Sequence, residues 1–199
     1  MNRYDVTVAG EANHAGSTAM ADRKDALVAA AGFINKVPEI VKEYGNEFTV
    51  ATVGTIKVTP HSVNVIPGTC TFSLEIRDQS AEVMKLIENH LRQLLEDICK
   101  KYGVTSTFVP TSYHDPAPMS ELVRGTIEEA VKELGIDYTV IPSGAFHDSL
   151  IMTSVFPTGM IFVPSKDGIS HSRYEYTAPE DIENGCNVLL NTVLKLDEK

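Results

Sequence analysis

Four short stretches of this 199-residue sequence concentrate side chains that bind ligands or transfer protons. They are GEANHAG (10–16), SVNVIPG (62–68), SGAFHDS (143–149) and GISH (168–171). Glycine, proline and asparagine mark them as turns or strand ends, and loops at strand ends are where binding and catalytic sites are built. Their histidines can donate to a substrate, accept from it, or bind a metal through a neutral ring nitrogen. The pattern predicts a polar site assembled from several loops.

Three residues of the first half each have an ordinary structural interpretation beside a functional one. His14 is either a turn histidine packed between small residues or a donor to a substrate carboxylate or carbonyl. Asn64 suits an Asx-type turn ahead of a proline. Arg77 suits a surface ion pair with Glu75 or Asp78, or a clamp on a substrate carboxylate, whose two oxygens match the guanidinium fork. The residues alone leave both interpretations open.

His147 and His171 also have two interpretations each. Small residues around His147, including Gly144, allow a ligand to approach the backbone, and Asp148 is placed to orient the ring. The alternative is a helix-start histidine beside an aspartate that serves the helix dipole. His171 follows the apolar run GMIFVP (159–164), where an open α/β sheet would place a metal ligand. One imidazole cannot hold a catalytic metal, so His171 is either a ligand that needs partners or a loop histidine.

The elements that position the first stretches alternate along the chain. Two helices are predicted, over 22–37 and over 83–98, because apolar residues recur there at intervals of three and four residues. Pro38 interrupts or kinks the first. Four strands are predicted by alternation or by β-branched residues, at 3–9, 48–58, 69–77 and 104–110. The order β-α-β-β-α-β is that of a ferredoxin-like sandwich, with two helices on one face of an antiparallel sheet.

A different pattern follows the proline-rich loop 112–120, which separates a predicted first domain, 1–113, from a second, 114–199. The second alternates helix and strand as part of an α/β layer. Its predicted elements are a helix over 122–134 stopped by Gly135, strands at 138–142 and 157–164, and a terminal helix opened by Pro179. Apolar strands of this kind need neighbours on both sides that the chain does not supply.

Composition excludes several classes of partner. The net charge of −10, from 27 acidic and 17 basic residues, argues against nucleic acid, whose backbone requires a basic face. No apolar run is long enough to cross a membrane, and the first residues alternate polar and apolar where a secretory signal would be apolar. Three widely separated cysteines without a CxxC pair suit a reducing compartment. We therefore expect a cytoplasmic protein that binds a small molecule or another protein.

Together, four longer stretches resemble one family over essentially the whole chain: GEANHAGSTAMADRKDALVAAA, SVNVIPGTCTFSLEIRD, PSGAFHDS and MIFVPSKDGISHSRYEYTAPEDI. They resemble the N-carbamoyl-amino-acid amidohydrolases, which include L-carbamoylases, allantoate amidohydrolases and β-ureidopropionases, a branch of the dinuclear zinc aminoacylase and carboxypeptidase clan. The resemblance implies an α/β zinc-hydrolase catalytic domain interrupted by a ferredoxin-like lid that forms a homodimer. By it, residues 1–113 are the lid and 114–199 the distal part of the catalytic domain.

The resemblance also implies residue roles. Arg77 matches the residue that binds the substrate carboxylate. His14 and Asn64 match lid residues that contact the substrate or tetrahedral intermediate, in part across the dimer, and His147, beside Gly144, matches one near the scissile carbamoyl group. His14 and His147 would thus be catalytic contacts, and all of these residues would bind substrate. His171 matches the last zinc-binding histidine.

The family's earlier metal ligands and its general-base glutamate have no match here. We therefore expect the distal part of an amidohydrolase that acts on a ureido acid. Two zinc ions, or manganese, cobalt or nickel in their place, would occupy the intact site and would not bind fully to this chain, which we expect to be inactive alone. The alternatives are a non-catalytic dimerisation or small-ligand-binding module, and a dipeptidase or aminoacylase of the same clan. Phe146 departs from the small residue frequent at its position, which leaves the substrate open.

Overall fold

The computed structural model describes residues 1–198. The chain divides into two compact units, Met1–Pro116 and Ala117–Lys199. The first contains a mixed α/β arrangement around an antiparallel sheet, and the second consists of helices joined by long connections.

The first unit is a sheet with two long helices. Its strands are β1 (Asn2–Ala9), β2 (Val50–Thr52), β3 (Ile56–Thr59), β4 (Thr69–Arg77) and β5 (Thr105–Tyr113). The helices are α1 (Ala26–Tyr44) and α2 (Ala81–Tyr102). All pairings are antiparallel, in the order β2, β4, β1, β5, with β3 also pairing with β4. The central strands β1 and β4 therefore fix the positions of the loops at both ends of the sheet.

Alternation in the central strands creates the core of this unit. Residues that point to one face of β1 and β4 are buried, while their neighbours on the other face are half-buried or exposed. Apolar residues of α1 and α2 belong to the same core, which contains among others Tyr4, Val6, Phe33, Phe72, Leu74, Ile87 and Leu91. The alternating pattern predicted this face correctly because burial on a single face requires a period of two.

The predicted strand over 48–58 is wrong as one continuous element. β2 pairs with the end of β4 and β3 with its beginning, while residues 53–55 leave the ladder between them. There the Thr55 amide donates to the side-chain oxygen of Ser73 at 3.1 Å. Gly54, which weakens a strand interior, lies at the break. The interruption therefore depends on a cross-strand hydroxyl as well as on local sequence.

The first helix also differs from its prediction. Residues Met20–Asp22 form a single 3₁₀ turn, and α1 begins only at Ala26, where the Asp25 carboxylate caps the helix by accepting from two backbone amides at 2.9 and 3.0 Å. Pro38 lies inside α1 and does not end it. In this helix, packing of an apolar face against the sheet outweighs the hydrogen bond that proline removes.

The second unit contains the helices α3 (Glu121–Glu133), α4 (Ser149–Met152) and α5 (Pro179–Asp197). Ser120 caps α3, and Gly135, with φ of 67°, follows its end, as a helix stop by glycine predicts. α3 packs against α5. The strands predicted at 138–142 and 157–164 are wrong: within residues 1–198 neither segment is paired into a sheet. Strand-like sequence needs a partner strand to complete its hydrogen bonds, and the described residues offer none.

No helix within residues 1–198 combines the length and apolar character needed to cross a lipid bilayer. The three cysteines carry free thiols, with Cys70 and Cys99 buried and Cys186 exposed on α5.

Candidate functional site

Two loops bring His14 and Asn64 side by side at one end of the sheet. One loop leaves β1 and the other leads into β4, and backbone bonds tie them together. The Ala15 amide donates to the Asn64 carbonyl at 2.9 Å, and His14 forms an isolated antiparallel bridge with Val65. The strand ends thus place both predicted side chains on one rigid, exposed edge.

The hydrogen bonds of this pair leave donors facing solvent. Nδ1 of His14 accepts from the Gly16 amide at 3.0 Å, which places the proton of a neutral ring on Nε2. Oδ1 of Asn64 accepts from the Ser62 hydroxyl at 2.8 Å, and its amide nitrogen has no hydrogen bond to residues 1–198. The edge therefore offers two N–H donors, suited to an oxygen that carries negative charge.

Arg77 lies at the other end of β4 from this pair. Its Nε donates to Glu75 at 2.6 Å, and Glu75 also accepts from Arg3 across the sheet. Partial burial acts to raise the pKa of Glu75, but the bonds from both arginines outweigh it and lower that pKa. The shared carboxylate holds Arg77 in place through one edge of its guanidinium.

Across its nine residues β4 rises about 3.3 Å per residue, so its ends are about 26 Å apart. That length exceeds the reach of a small ureido acid. The first unit therefore does not bring Arg77 to the same ligand as His14 and Asn64 within one chain.

His147 and Gly144 share one loop of the second unit. Nε2 of His147 lies 2.8 Å from the Ser143 hydroxyl, and its ring is 5.6 Å from that of Phe162. A side chain added at Gly144 would meet no atom within 4 Å, so open space surrounds this backbone. Phe146 is 41% exposed next to it. The loop presents a half-buried imidazole beside a space that a ligand can enter.

His171 lies in a separate exposed loop with an unusual backbone. Its φ of 55° is in the left-handed region, which costs a non-glycine residue about 1 kcal/mol or more. The carboxylate of Glu175 accepts from the His171 amide at 2.9 Å and holds this conformation. Such strain is concentrated at functional positions, which agrees with a role for the side chain.

Whether a metal ion could bind depends on the side chains that could act as its ligands. No cluster of three or more histidine, cysteine, aspartate or glutamate side chains that could hold a metal ion occurs among residues 1–198. A catalytic zinc needs three protein ligands, so the residues present do not fit a dinuclear metal centre. A shallow cavity of about 370 Å³ between Pro118 and Thr158 contains none of the predicted site residues and is no substitute.

Sequence reasoning missed the side chains that orient the predicted ones. Ser143 contacts His147 from four positions earlier, and Glu175 fixes the backbone of His171 from four positions later. Their polar character was visible, but no sequence rule specifies these loop contacts. Glu75 was one of two partners predicted for Arg77, the other being Asp78, whereas the contact of Glu75 with Arg3 depends on strand register.

Comparison with known proteins confirms the resemblance. Residues 6–195 match the sequence model of peptidase family M20/M25/M40. The chain is 40% identical over 190 residues to an N-carbamoyl-L-amino acid amidohydrolase of Geobacillus stearothermophilus, covering 96% of this chain and 46% of that protein. It is 36% identical over 194 residues to an allantoate amidohydrolase of Bacillus subtilis (strain 168), covering 98% of this chain and 47% of that protein.

Solved structures give the same result. The crystal structure of AtUAH in complex with (S)-hydroxyglycine superposes with a TM-score of 0.91 at 34% identity, covering 100% of this chain and 47% of that one. The chain thus spans about half the length of the curated relatives it matches.

Proposed function

The chain belongs to peptidase family M20/M25/M40, and from this premise we propose that its whole protein hydrolyses the carbamoyl C–N bond of an N-carbamoyl amino acid or a related ureido acid such as allantoate. One water molecule is consumed, and the products are the amino acid, ammonia and carbon dioxide. The relatives it matches are hydrolases that act on C–N bonds. The observation that carries the proposal is that 96% of the chain aligns with a carbamoyl amino acid amidohydrolase at 40% identity.

The substrate contacts follow from donor chemistry. A ureido acid carries a carboxylate at one end and a carbonyl at the other, and the carbonyl oxygen gains negative charge when water adds to it. Arg77 is a cation suited to the carboxylate. His14 and Asn64 present N–H groups suited to the developing oxyanion. His147, oriented by Ser143, would contact the carbamoyl group.

The separation along β4 leads to a proposal about assembly. Since Arg77 and the pair His14 and Asn64 lie at opposite ends of the strand, one substrate can use all three only when two copies contribute. We propose that the first unit is a ferredoxin-like lid, residues 1–113, through which the protein forms a homodimer. Each site would then take Arg77 from one protomer and His14 and Asn64 from its partner.

The chain alone would not complete the chemistry. When bound, two zinc ions, or manganese, cobalt or nickel, supply an activated water and polarise the carbonyl in enzymes of this kind. The donor set of residues 1–198 does not fit such a centre. We propose that His171 provides one ligand and that the rest of the enzyme provides the others, so the isolated chain is inactive. Its free thiols agree with a cytoplasmic protein.

A fusion tests this function. The part of the Geobacillus stearothermophilus amidohydrolase that this chain does not match is joined ahead of Met1, and ammonia release is measured with N-carbamoyl amino acids, allantoate and dipeptides. We expect turnover of a carbamoyl or ureido acid, and none by the chain alone. Turnover of dipeptides only would contradict the proposed bond and support a dipeptidase. A folded, metal-loaded fusion that hydrolyses neither class would support a non-catalytic module.

A further inference from the structure

The loop that carries His14 is closed at its base by backbone contacts. The Glu11 amide donates to the Lys24 carbonyl at 2.9 Å, so residues 12–23 form a loop between β1 and α1. A Cβ added at Gly10 would lie 1.9 Å from the same carbonyl oxygen, which shows how closely the two segments approach. The loop therefore leaves and rejoins the first unit at one fixed point.

Arg23, at the end of this loop, turns its side chain back into the loop. Its Nη2 donates to the Ala15 carbonyl at 2.6 Å and to the Thr18 carbonyl at 3.1 Å, and its Nε donates to the Thr18 carbonyl at 3.2 Å. The side chain is half-buried, and all three bonds reach backbone oxygens rather than a carboxylate. The rigid fork of a guanidinium suits two carbonyls at once, so Arg23 serves the backbone of the loop.

Both residues that Arg23 holds are fastened to the surroundings of His14. The Thr18 hydroxyl donates to the His14 carbonyl at 2.8 Å. The Ala15 amide donates to the Asn64 carbonyl at 2.9 Å, which ties the residue after His14 to the neighbouring loop. The guanidinium is thus one residue removed from the backbone of His14 by two separate routes.

The tautomer of His14 depends on the same turn. Nδ1 of its ring accepts from the Gly16 amide at 3.0 Å, a bond that forms only while residues 14–16 keep their turn. If the turn opened, the proton of the neutral ring could occupy either nitrogen, and Nε2 would no longer be a dependable donor. None of residues 11–24 is buried, so hydrogen bonds rather than apolar packing maintain the turn.

We propose that Arg23 is a positioning residue for His14: it holds the turn that keeps the Nε2–H donor in place for the oxyanion of the hydrolysis. This inference rests on the proposed function. Arg23 acts through the backbone of Ala15 and Thr18 and does not itself contact the substrate. A donor that is already oriented need not rearrange as negative charge develops, so the effect of Arg23 falls on kcat rather than on KM.

NMR of the isolated chain tests the positioning without any activity. Arg23→Ala should raise the hydrogen-exchange rate of the Ala15 amide about tenfold. In the neutral ring of His14 it should replace the single Nε2–H tautomer by a mixture, which the nitrogen chemical shifts of the imidazole distinguish. Lys24→Ala is the matched control, because this neighbouring cation forms only an exposed side-chain pair with Glu11 and keeps its backbone bond. An unchanged tautomer and exchange rate in Arg23→Ala would overturn the inference.

A double-mutant cycle in the fusion tests the consequence for turnover. Arg23→Ala should lower kcat about tenfold with little change in KM, whereas the same change on a His14→Ala background should cost about twofold or less. An equal loss on both backgrounds would contradict the inference, because Arg23 would then support the fold without acting through His14. A rise in KM alone would contradict it too, since the guanidinium would then bind the substrate. A fusion that hydrolyses no ureido acid would count against the proposed function, and the NMR result would still decide whether Arg23 positions His14.

Discussion

Asn64 and Arg77 lie at opposite ends of the same strand: Asn64 lies in the loop that leads into β4, and Arg77 is the last residue of β4. The family resemblance predicts that both contact the substrate, yet β4, which lies between them, is about 26 Å long at about 3.3 Å per residue. A single small substrate cannot span that distance. The proposed site is therefore shared between two protomers, and the first prediction tests this proposal.

Mixed dimers should recover activity that neither variant has alone. In the fusion, Asn64→Ala and Arg77→Ala should each reduce turnover strongly. When the two variants are co-expressed, one site of each heterodimer has both residues intact, so random pairing should restore about one quarter of the parent activity. Ammonia release by the co-purified mixture measures this. Activity no higher than that of the single variants would show that each site takes both residues from one protomer.

Arg77 should determine affinity for the carboxylate. Replacing it by alanine in the fusion should raise KM on the order of 30-fold, because a charge-assisted hydrogen bond contributes about 1.5–3 kcal/mol. Arg3→Ala is the matched control, since Arg3 contacts the same Glu75 carboxylate and is more exposed. Steady-state kinetics of both variants measure this effect. An equal rise of KM in the two would contradict the role of Arg77 in binding the substrate carboxylate.

Ser143 should position His147 rather than bind substrate strongly. Ser143→Ala in the fusion should lower kcat about fivefold with little change in KM, because it removes one hydrogen bond that is worth about 1 kcal/mol. Threonine at the same position should rescue activity. The control is Ser154→Ala, whose hydroxyl donates to the carbonyl of Ile151. A rise in KM with unchanged kcat would contradict the positioning role.

Glu88 should make the first unit sensitive to acid. Its side chain, 7% exposed on α2, accepts from Lys85 at 3.0 Å and Arg92 at 2.8 Å. Burial acts to raise its pKa, but the hydrogen bonds from Arg92 and Lys85 outweigh it and lower the pKa below 4.5. Because the folded pKa is lowered, the stabilisation is present above pH 4.5 and is lost as the pH falls through the folded value.

Thermal unfolding of the isolated chain measures this effect. We expect the unfolding midpoint to fall as the pH is lowered below 4.5. Glu88→Gln should cost about 2 kcal/mol at neutral pH and should weaken the acid dependence, since the charge-assisted bonds are lost. Glu96→Gln, an exposed position on the same helix, should change neither. Equal acid dependence in the parent and Glu88→Gln would contradict the assignment.

Features that local sequence determines were predicted, whereas features that depend on contacts between distant residues were not. Alternation located β1 and β4 because one buried face imposes a period of two. Turn chemistry placed His14 and Asn64 at strand ends for the same local reason. The break between β2 and β3 was not predicted, because it involves a hydrogen bond to Ser73 of a neighbouring strand.

The missed features of the second unit have a similar origin. The predicted strands at 138–142 and 157–164 have strand-like composition, but a strand exists only with a partner, and none is present in residues 1–198. Ser143 was missed because its contact with His147 is set by the fold of a loop rather than by helical or strand periodicity. The positions of the candidate donors at loops were thus predictable from sequence, whereas the groups that orient them were not.

The most direct test of the account is the zinc content per chain, measured by elemental analysis after incubation with zinc and desalting, for the isolated chain and for the fusion. We predict near zero for the chain, because no cluster of three or more possible metal ligands occurs in residues 1–198, and close to two for the fusion. Close to two zinc ions in the isolated chain would contradict it, since the metal site would then be complete without the rest of the enzyme.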